Sequence, residues 1–434
     1  RNIGDRQKAS SRRWNYLKRE VLKVGNEPIT FRIKTLTPLW TGGTDGKMDR
    51  IHETGIIGSI RWWYEVIARG LGYYVCDPTH SDTRCPTENK EEKKKYYCPA
   101  CLLFGATGYR RRFRISISHP EYDKNVLSNR FRVLSGRLHG QRKGGWFIYS
   151  GCFGKYDVSI ESLDNDFDDI LIQLPLKLAA NWGALSAKPQ LGHGVFSFEP
   201  NTICLTSQFA ESINKTTSEE KLKRLGMCLR SKPDNSSNYP NIKEMFFAKI
   251  RFMSTDNEWW KGTKGLENVN DLALKSWIDN NSAPISLTIK NWFRYDNNVS
   301  EFWKARGCNT GELANWLFGT IRDERIASKI NISGAYHPIE GNKDLWEFRI
   351  WGWIPIQYER CKDFSREEIL NRLKKHIADT TDENWQKLLG RFVNSFELNS
   401  WREFNSARDT FGLLNNMNDY IDSLINKVPE VEEK

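Results

Sequence analysis

The alternation of hydrophobic and polar positions is clearest near residue 30, where Ile29, Phe31 and Ile33 are separated by single polar residues. A period of two is typical of a strand that buries one face. From this alternation and from short apolar runs, we predict strands over residues 29–36, 112–118, 130–138, 146–150, 245–253, 285–295, 326–333 and 346–354.

A helical period follows the first of these strands. Ile60, Trp63 and Ile67 fall at i, i+3 and i+7, so they form one apolar face and Trp63 is expected in the core. Ser59 is the candidate N-cap, and Gly70 stands where a glycine that ends a helix is expected. We also predict helices over about residues 169–182, 365–377, 383–396 and 407–426.

Arg61 lies in the first turn of this predicted helix. A cation there opposes the helix macrodipole. A phosphate held jointly by free backbone N–H groups and by Arg61 would relieve that repulsion. We therefore interpret Arg61 as a candidate phosphate ligand.

The length of 434 residues exceeds one typical domain, so two domains are expected. Hydrophobic residues make up 39% of the chain, which is enough for sizeable cores. No apolar run approaches the roughly 20 residues that span a bilayer, and no stretch resembles a signal peptide. We expect a cytoplasmic protein with no membrane partner.

The net charge of +11 is spread unevenly. Residues 1–34 hold ten Lys and Arg against three Asp and Glu, residues 104–145 hold ten against two, and residues 361–434 hold eleven against fourteen. Aromatic residues interleave the basic runs at 110–114 and 130–132, as in surfaces that bind nucleic acid. This favours a polyanionic partner on one side of the molecule over a basic surface that serves general solubility alone.

Four of the nine cysteines cluster in sequence, and the last two form a CPAC pair. Tight thiolate pairs of this kind chelate zinc, and four thiolates complete a tetrahedral site. The segment between the inner pair is too polar to pack a core, so a metal would supply its order. The predicted ligands of a structural zinc are Cys76, Cys85, Cys98 and Cys101; the alternative is four ordinary reduced cysteines.

A short internal repeat supports two related halves. Leu-Phe-Gly at 103–105 and again at 317–319 precedes a strand-like run, and a helical segment precedes each copy. We predict two α+β domains. The expected divisions are an N-terminal extension at 1–27, a first domain at 28–231, a linker at 232–244 and a second domain with C-terminal helices at 245–434. Within the first domain we expect a cysteine-rich insertion at 72–102 and a glycine-rich loop at 183–194.

The glycine-rich loop carries Lys188 and His193 and lies between a predicted helix and an apolar run. Glycines let a backbone approach a phosphate chain closely, with N–H groups as donors. The loop lacks the Gly-Lys-Ser/Thr ending of a P-loop, so nucleoside triphosphate chemistry is not expected. A plain turn is the alternative.

Three elements resemble the RAMP superfamily of CRISPR proteins: TPLWTGG with GSIRWWYE downstream, CPACLLFG, and LGHGVF. The chain is most similar to the family of the first RAMP subunit of type III-B (Cmr) effector complexes. The resemblance implies two ferredoxin-like, RRM-like domains with a C-terminal helical extension. It also implies a non-catalytic role in which the subunit binds near the 3′ part of the guide RNA/target RNA duplex and supports capture of the target RNA, beside other RAMP subunits.

The resemblance also assigns candidate RNA contacts, by motif position. Trp62 has two open roles, stacking on a base or packing in a subunit interface. For the arginines at 110–112, a solvated strand edge is the alternative to phosphate contact. The candidates are Trp40, Gly42, Gly43, Lys47, Arg50, His52, Arg61, Trp62, Arg110, Arg111, Arg112, Lys188, Gln190 and His193.

Catalysis is the main alternative. Related RAMP subunits cut target RNA with an Asp in the loop after the first strand, where this chain has Asp45 and Asp49. Loop carboxylates among glycines are more often turn residues than metal ligands. A guide-processing endoribonuclease with a catalytic His is a further alternative, and so is a scaffold that binds only proteins.

Overall fold

In the computed structural model, the described residues are 27–89, 94–118, 129–139, 142–199, 204–231, 239–266, 269, 271–295, 312–320 and 325–427. Residues 1–26 of the predicted N-terminal extension and residues 232–238 of the predicted linker lie outside this set. Within the described residues, no helix is both long enough and apolar enough to cross a bilayer.

The described residues contain both strands and helices. The strands are β1 (Ile29–Thr35), β2 (Thr87–Asn89), β3 (Lys94–Tyr97), β4 (Phe113–Ile117), β5 (Arg130–His139), β6 (Arg142–Tyr149), β7 (Lys155–Ser162), β8 (Phe196–Glu199), β9 (Met227–Leu229), β10 (Met245–Met253), β11 (Ser282–Ala283), β12 (Ile330–Ile332), β13 (Ala335–Tyr336), β14 (Leu345–Trp353) and β15 (Asn394–Glu403). The helices are α1 (Glu53–Gly70), α2 (Pro99–Phe104), α3 (Ile170–Trp182), α4 (Thr206–Thr216), α5 (Glu219–Arg224), α6 (Leu272–Asp279), α7 (Ser286–Tyr295), α8 (Glu312–Phe318), α9 (Arg366–Ala378), α10 (Asp382–Leu389) and α11 (Met417–Asn426).

The first sheet has the strand order β4-β7-β1-β8, and every neighbouring pair is antiparallel. In chain order its elements run β1, α1, β4, β7, α3, β8, which is the ferredoxin-like βαββαβ connection. Phe31 and Ile33 of β1 are buried, whereas Thr30 and Arg32 on the other face are exposed. The period-two prediction for this strand is confirmed.

The second sheet repeats the strand order of the first sheet. Its central strand β10 lies between β14 and β15, and β14 pairs with β12 and β13 on its far side. Helices separate β10 from β12 and β14 from β15, so the connectivity matches that of the first sheet. The sequence repeat thus marks a repeated topology.

The two sheets share hydrophobic packing. Phe247 of β10 lies against Trp63 of α1 and Trp182 of α3, at ring-centroid distances of 6.4 and 6.0 Å. Ile242, in the predicted linker, is buried in the same cluster, and its side chain lies where a Cβ on Gly70 would stand. The helices of the first sheet therefore also cover one face of the second sheet. The division into domains at residues 232–244 stays a prediction.

Three element predictions are wrong. The predicted strand 285–295 is helix α7, because Ile285, Ile289 and Phe293 form one buried face at a spacing of four residues. The predicted helix 383–396 ends at Leu389, and β15 begins at Asn394. Of the predicted helix 407–426, only α11 is helical, because its N-cap Asn416 accepts backbone N–H bonds that start the helix there.

The hairpin β5–β6 forms a separate two-stranded sheet inserted between β4 and β7. One face of it is apolar: Phe131, Val133 and Ile148 are buried with Trp277 of α6 and Leu287 of α7. The hairpin of the first half is therefore supported by helices of the second.

Candidate functional site

The two glycine-rich loops identified in the sequence lie together at one edge of the first sheet. The loop at 36–52 leaves β1 and the loop at 183–195 enters β8, and Thr35 pairs with Phe196 in this antiparallel strand pair. Backbone bonds join the two loops: Gly194 N donates to the Pro38 carbonyl at 2.9 Å, and Ala187 N donates to the Trp40 carbonyl at 3.1 Å. They form one structural unit.

The glycines of the second loop serve internal packing. A Cβ on Gly183 would lie 2.1 Å from the Trp63 ring, and one on Gly192, whose φ is +95°, would lie 2.8 Å from the backbone N of Gly334. Gly194, at φ +90°, is equally enclosed. The backbone N–H groups of these glycines already donate to the Ala179, Pro189 and Pro38 carbonyls, and the predicted approach of a phosphate chain to them stays a prediction. The outward part of the loop is residues 187–190.

Lys188 is the cation of that outward part. Its ammonium lies over the Trp40 ring at 4.1 Å and over the Tyr149 ring at 4.6 Å. Burial lowers the pKa of Lys188, yet the group stays half-exposed. Trp40 itself is buried, so its indole forms the floor of the site rather than an open contact. A cation held on two aromatic rings is a preformed contact for a phosphate or a base.

The first loop is closed by its own hydrogen bonds. Buried Thr41 accepts from His52 N at 2.8 Å and donates to the Arg50 carbonyl at 3.2 Å. Gly43 N donates to the Lys47 carbonyl at 2.7 Å, so this N–H is already paired. Gly42 is half-buried, and a Cβ there would lie 2.9 Å from the Trp40 ring. The Lys47 side chain is exposed.

The acidic residues of this loop act as turn residues. Asp45 Oδ1 accepts from Lys47 N at 2.9 Å, an Asx turn. Asp49 Oδ1 lies 2.7 Å from His52 Nε2, and Arg50 pairs with Glu53 at 2.9 Å. Among the described residues, these carboxylates do not belong to a set of three or more metal-ligating groups.

The position assigned to Arg61 at a helix start is wrong. Helix α1 begins at Glu53 with His52 as its N-cap, because the hydrogen bonds of Thr41 fix the loop at that point. Ser59 and Arg61 therefore lie in the middle of the helix. Arg61 is only 16% exposed and donates to Glu65 at 2.8 Å, to the Gly105 carbonyl at 3.3 Å and to Cys101 Sγ at 3.2 Å. Its contacts lie inside the protein.

Two further candidates are buried within the protein, and their roles as RNA contacts stay predictions. His193 has no exposed surface; its Nε2 donates to the Tyr149 carbonyl at 2.9 Å, and burial lowers the pKa of His193 to about 4. Arg112 is 3% exposed and pairs with Asp164 at 2.7 Å, because β4 turns it beneath the sheet edge.

The other candidates stay accessible to different degrees. Arg110 is exposed and Arg111 is half-buried. Gln190 is half-buried, and its carbonyl accepts from Ser286 Oγ at 3.4 Å. Trp62 is half-buried and lies edge-on to Trp63, with the ring centroids 4.8 Å apart. Trp63 is 2% exposed, as predicted for a core residue.

The four clustered cysteines meet in space. The sulfurs of Cys76, Cys85, Cys98 and Cys101 all lie within 4.8 Å of one another, and all four residues are buried. Cys98 is the N-cap of α2, which carries Cys101 in its first turn. The Cys98 backbone N donates to Cys85 Sγ at 3.3 Å.

The spacing of these sulfurs fits a tetrahedral metal. Zinc–sulfur bonds of about 2.3 Å in tetrahedral geometry place the sulfurs about 3.8 Å apart. Cys76 Sγ lies 3.5 Å from Cys101 Sγ and 3.7 Å from Cys98 Sγ. The cluster can therefore hold a metal ion such as zinc.

These features define an α+β protein with a repeated βαββαβ sheet and a four-cysteine cluster. Residues 32–197 match the family model of the RAMP superfamily, from β1 through both glycine-rich loops to β8. This stretch of the chain is similar to the RAMP superfamily.

Among solved structures, the chain is similar to apo Cmr1 from Pyrococcus furiosus, with 15% identity, a TM-score of 0.32 and coverage of 76% of this chain and 88% of that one. It is similar to a chain of the type III-B Cmr-beta complex bound to cognate target RNA, with 13% identity, a TM-score of 0.36 and coverage of 81% and 99%. It is also similar to a chain of the type III-B Cmr-beta complex bound to cognate target RNA and AMPPnP in the presence of ssDNA. The identity is 13%, the TM-score is 0.35, and the match covers 80% of this chain and 98% of that one. No curated protein matches the chain.

Sequence reasoning missed Tyr149, which contacts both loops through Trp40 and Lys188. Its carbonyl accepts from His193 Nε2 and from Trp277 Nε1, each at 2.9 Å. The sequence carried little signal for it, because residues 146–149 are all aromatic or apolar and no alternation shows which face Tyr149 takes.

Proposed function

We propose that this chain is an RNA-binding subunit of a type III-B CRISPR ribonucleoprotein. In this role it holds the 3′ part of the guide RNA and its target RNA, together with other RAMP subunits, and does not cut RNA itself. The match of residues 32–197 to the RAMP superfamily and the TPLWTGG and GSIRWWYE motifs support the class of ligand.

The observation that carries the proposal is the joined pair of loops. Backbone bonds from Gly194 and Ala187 fix the second loop on the first, so Lys47 and Lys188 belong to one edge of the sheet. Within the residues that the structure describes, neither lysine forms an ion pair, and Lys47 is exposed. Fixed cations over aromatic rings bind phosphates and bases with little ordering cost.

The test is salt-dependent RNA binding by the whole chain. For a single strand, the slope of log K against log salt changes by about 0.7 for each phosphate contact. We expect the double variant Lys47→Ala/Lys188→Ala to reduce that slope by about 1.4. Lys387→Ala is the control, because Lys387 is an exposed lysine paired with Glu383 on α10. A wild-type chain without RNA affinity, or a slope equal in both variants, contradicts the proposal.

The second candidate is a metal-dependent endoribonuclease that uses Asp45 and Asp49. The Asx turn at Asp45 and the Asp49–His52 pair favour the non-catalytic role, since both carboxylates already have partners. If Asp45→Ala/Asp49→Ala abolishes target cutting by the reconstituted complex, the non-catalytic role is wrong.

We further propose that the four-cysteine cluster holds a structural zinc. Zinc would join the segment at 76–85 to the start of α2, and the sulfur spacing supports it. Such sites contribute directly to folding free energy. Elemental analysis of the native protein should find one zinc per chain, and Cys98→Ser should lose it. A native protein without bound metal contradicts this proposal.

A further inference from the structure

The outer face of hairpin β5–β6 carries cations and aromatic rings in alternation. Arg130 lies opposite Tyr149 and Arg132 opposite Phe147 in the antiparallel register. Residues directly opposite each other point to the same face of a sheet. The buried pair Phe131 and Ile148 belongs to the other face, so these four side chains share the outer one.

Two cation–aromatic contacts lie on this face of the hairpin. The Arg130 guanidinium lies 4.3 Å from the centroid of the Phe147 ring. The Lys188 ammonium lies 4.6 Å from the Tyr149 ring. Arg132 lies beside Phe147 in the register, and its Nε stands 2.8 Å from where a Cβ on Gly145 would be. We name Arg130, Arg132, Phe147, Tyr149 and Lys188 the hairpin strip.

The hairpin strip is open to solvent and continuous with the loop site. Phe147 is 44% exposed, and Arg130 and Arg132 are exposed. Tyr149 lies 5.4 Å from the Trp40 ring, and Lys188 spans both rings. The strip therefore extends the RNA-compatible edge of the first sheet outward along the hairpin.

The hairpin strip is also held in place from behind. The inner face of the hairpin is buried against α6 and α7, and the Tyr149 carbonyl accepts two side-chain N–H bonds. A surface aromatic on a fixed backbone binds with a small loss of conformational entropy. Because the hairpin strip is held rigidly, its aromatic rings suit a ligand with flat faces.

We propose that the hairpin strip stacks unpaired bases of single-stranded RNA. Aromatic rings offer flat faces to bases that are not already stacked in a duplex, and the interleaved cations meet the phosphates between them. Duplex RNA buries its base faces and offers mainly its backbone. The inference rests on the proposed RNA-binding function and adds the strandedness of the ligand and the residues that stack on it.

The experiment uses the whole chain with a short unstructured RNA that contains one 2-aminopurine, whose fluorescence falls on stacking, and with a blunt RNA duplex of equal length. We expect Phe147→Ala to weaken single-strand binding about five-fold or more, to weaken duplex binding less than two-fold, and to restore the fluorescence. Phe147→Tyr should retain wild-type behaviour, because the ring remains. Arg130→Ala should weaken single-strand binding without unfolding the hairpin, because Arg130 is exposed.

A matched control exists in the second half of the chain. Phe392 is 43% exposed, and the Arg391 guanidinium lies 4.7 Å from its ring, so Phe392→Ala removes an equivalent cation–π pair elsewhere. If the wild type binds RNA and Phe147→Ala matches Phe392→Ala in affinity and fluorescence, the stacking inference is overturned while the RNA-binding function stands. If the wild type binds no RNA, the proposed function fails first.

Discussion

Arg61 is the residue at which the sequence-based hypothesis and the structure predict opposite results. If Arg61 were a phosphate ligand, its removal would weaken RNA binding and leave the free energy of unfolding unchanged. In the structure, Arg61 joins α1 to the cysteine cluster through Cys101 and the Gly105 carbonyl, and it pairs with Glu65 of the same helix. We predict that Arg61→Ala lowers stability and loosens metal binding, with little effect on RNA affinity.

The contacts of Arg61 set the magnitude. Hydrogen bonds to charged partners contribute about 1.5–3 kcal/mol each to the free energy of unfolding, and the Glu65 carboxylate is 7% exposed. Glu65 keeps a second partner, because Arg69 Nη2 lies 3.2 Å from it. We therefore expect a loss of about 2 kcal/mol rather than the larger cost of an unpaired buried charge. The melting temperature should fall by roughly 4 °C.

The assay compares Arg61→Ala with Arg224→Ala, which removes the same charge from an exposed site of the same half that is not a candidate RNA contact. Calorimetry gives the melting temperature, a chromogenic chelator gives the rate of zinc release, and titration gives RNA affinity. Arg61→Ala should melt lower and release zinc faster, while its RNA affinity matches that of the control. An unchanged melting temperature together with a ten-fold loss of RNA affinity would refute the reasoning.

Three further predictions follow from the same contacts. Cys98→Ser should melt below the wild type and show no further change with chelator, as calorimetry can test. Asp45→Ala/Asp49→Ala should leave target cutting by the reconstituted complex unchanged in a gel assay. Because burial lowers the pKa of His193 to about 4, the unfolded chain binds a proton below about pH 6.5 that the folded chain excludes, so stability falls as the pH drops from 6.5 toward 4. Urea titrations should show about 2 kcal/mol lost between pH 7 and pH 5 from this group, and His193→Gln should flatten that dependence.

The sequence predicted the central strand of the second sheet well. The bounds of β10 at Met245–Met253 match the prediction, because both faces of this central strand are covered. Residues 285–295 were predicted as a strand because Ile285, Leu287 and Ile289 alternate with polar residues. They form helix α7 instead, because tertiary packing buries one face of that helix. The meeting of the four cysteines was predictable, since metal-ligand spacing is a local property.

The candidate site was predicted less fully, for a physical reason. Motifs identify which loops matter, but the direction of each side chain depends on partners that are distant in sequence. His193 turns inward because the Tyr149 carbonyl accepts its N–H, and Arg112 turns inward because Asp164 pairs with it. In both pairs, the two residues are more than 40 positions apart along the chain.

The shared packing of the two sheets bears on how the site is held. The hairpin strip and the loop edge lie on the first half, yet the strip rests on α6 and α7, and Gly192 of the loop accepts from Gly334 N at 3.1 Å. Arg349 of β14 donates to the Ala180 and Gly183 carbonyls where α3 ends and the loop begins. Because the second half fixes both the start of the loop and the back of the hairpin, substitutions there will alter RNA binding without touching RNA.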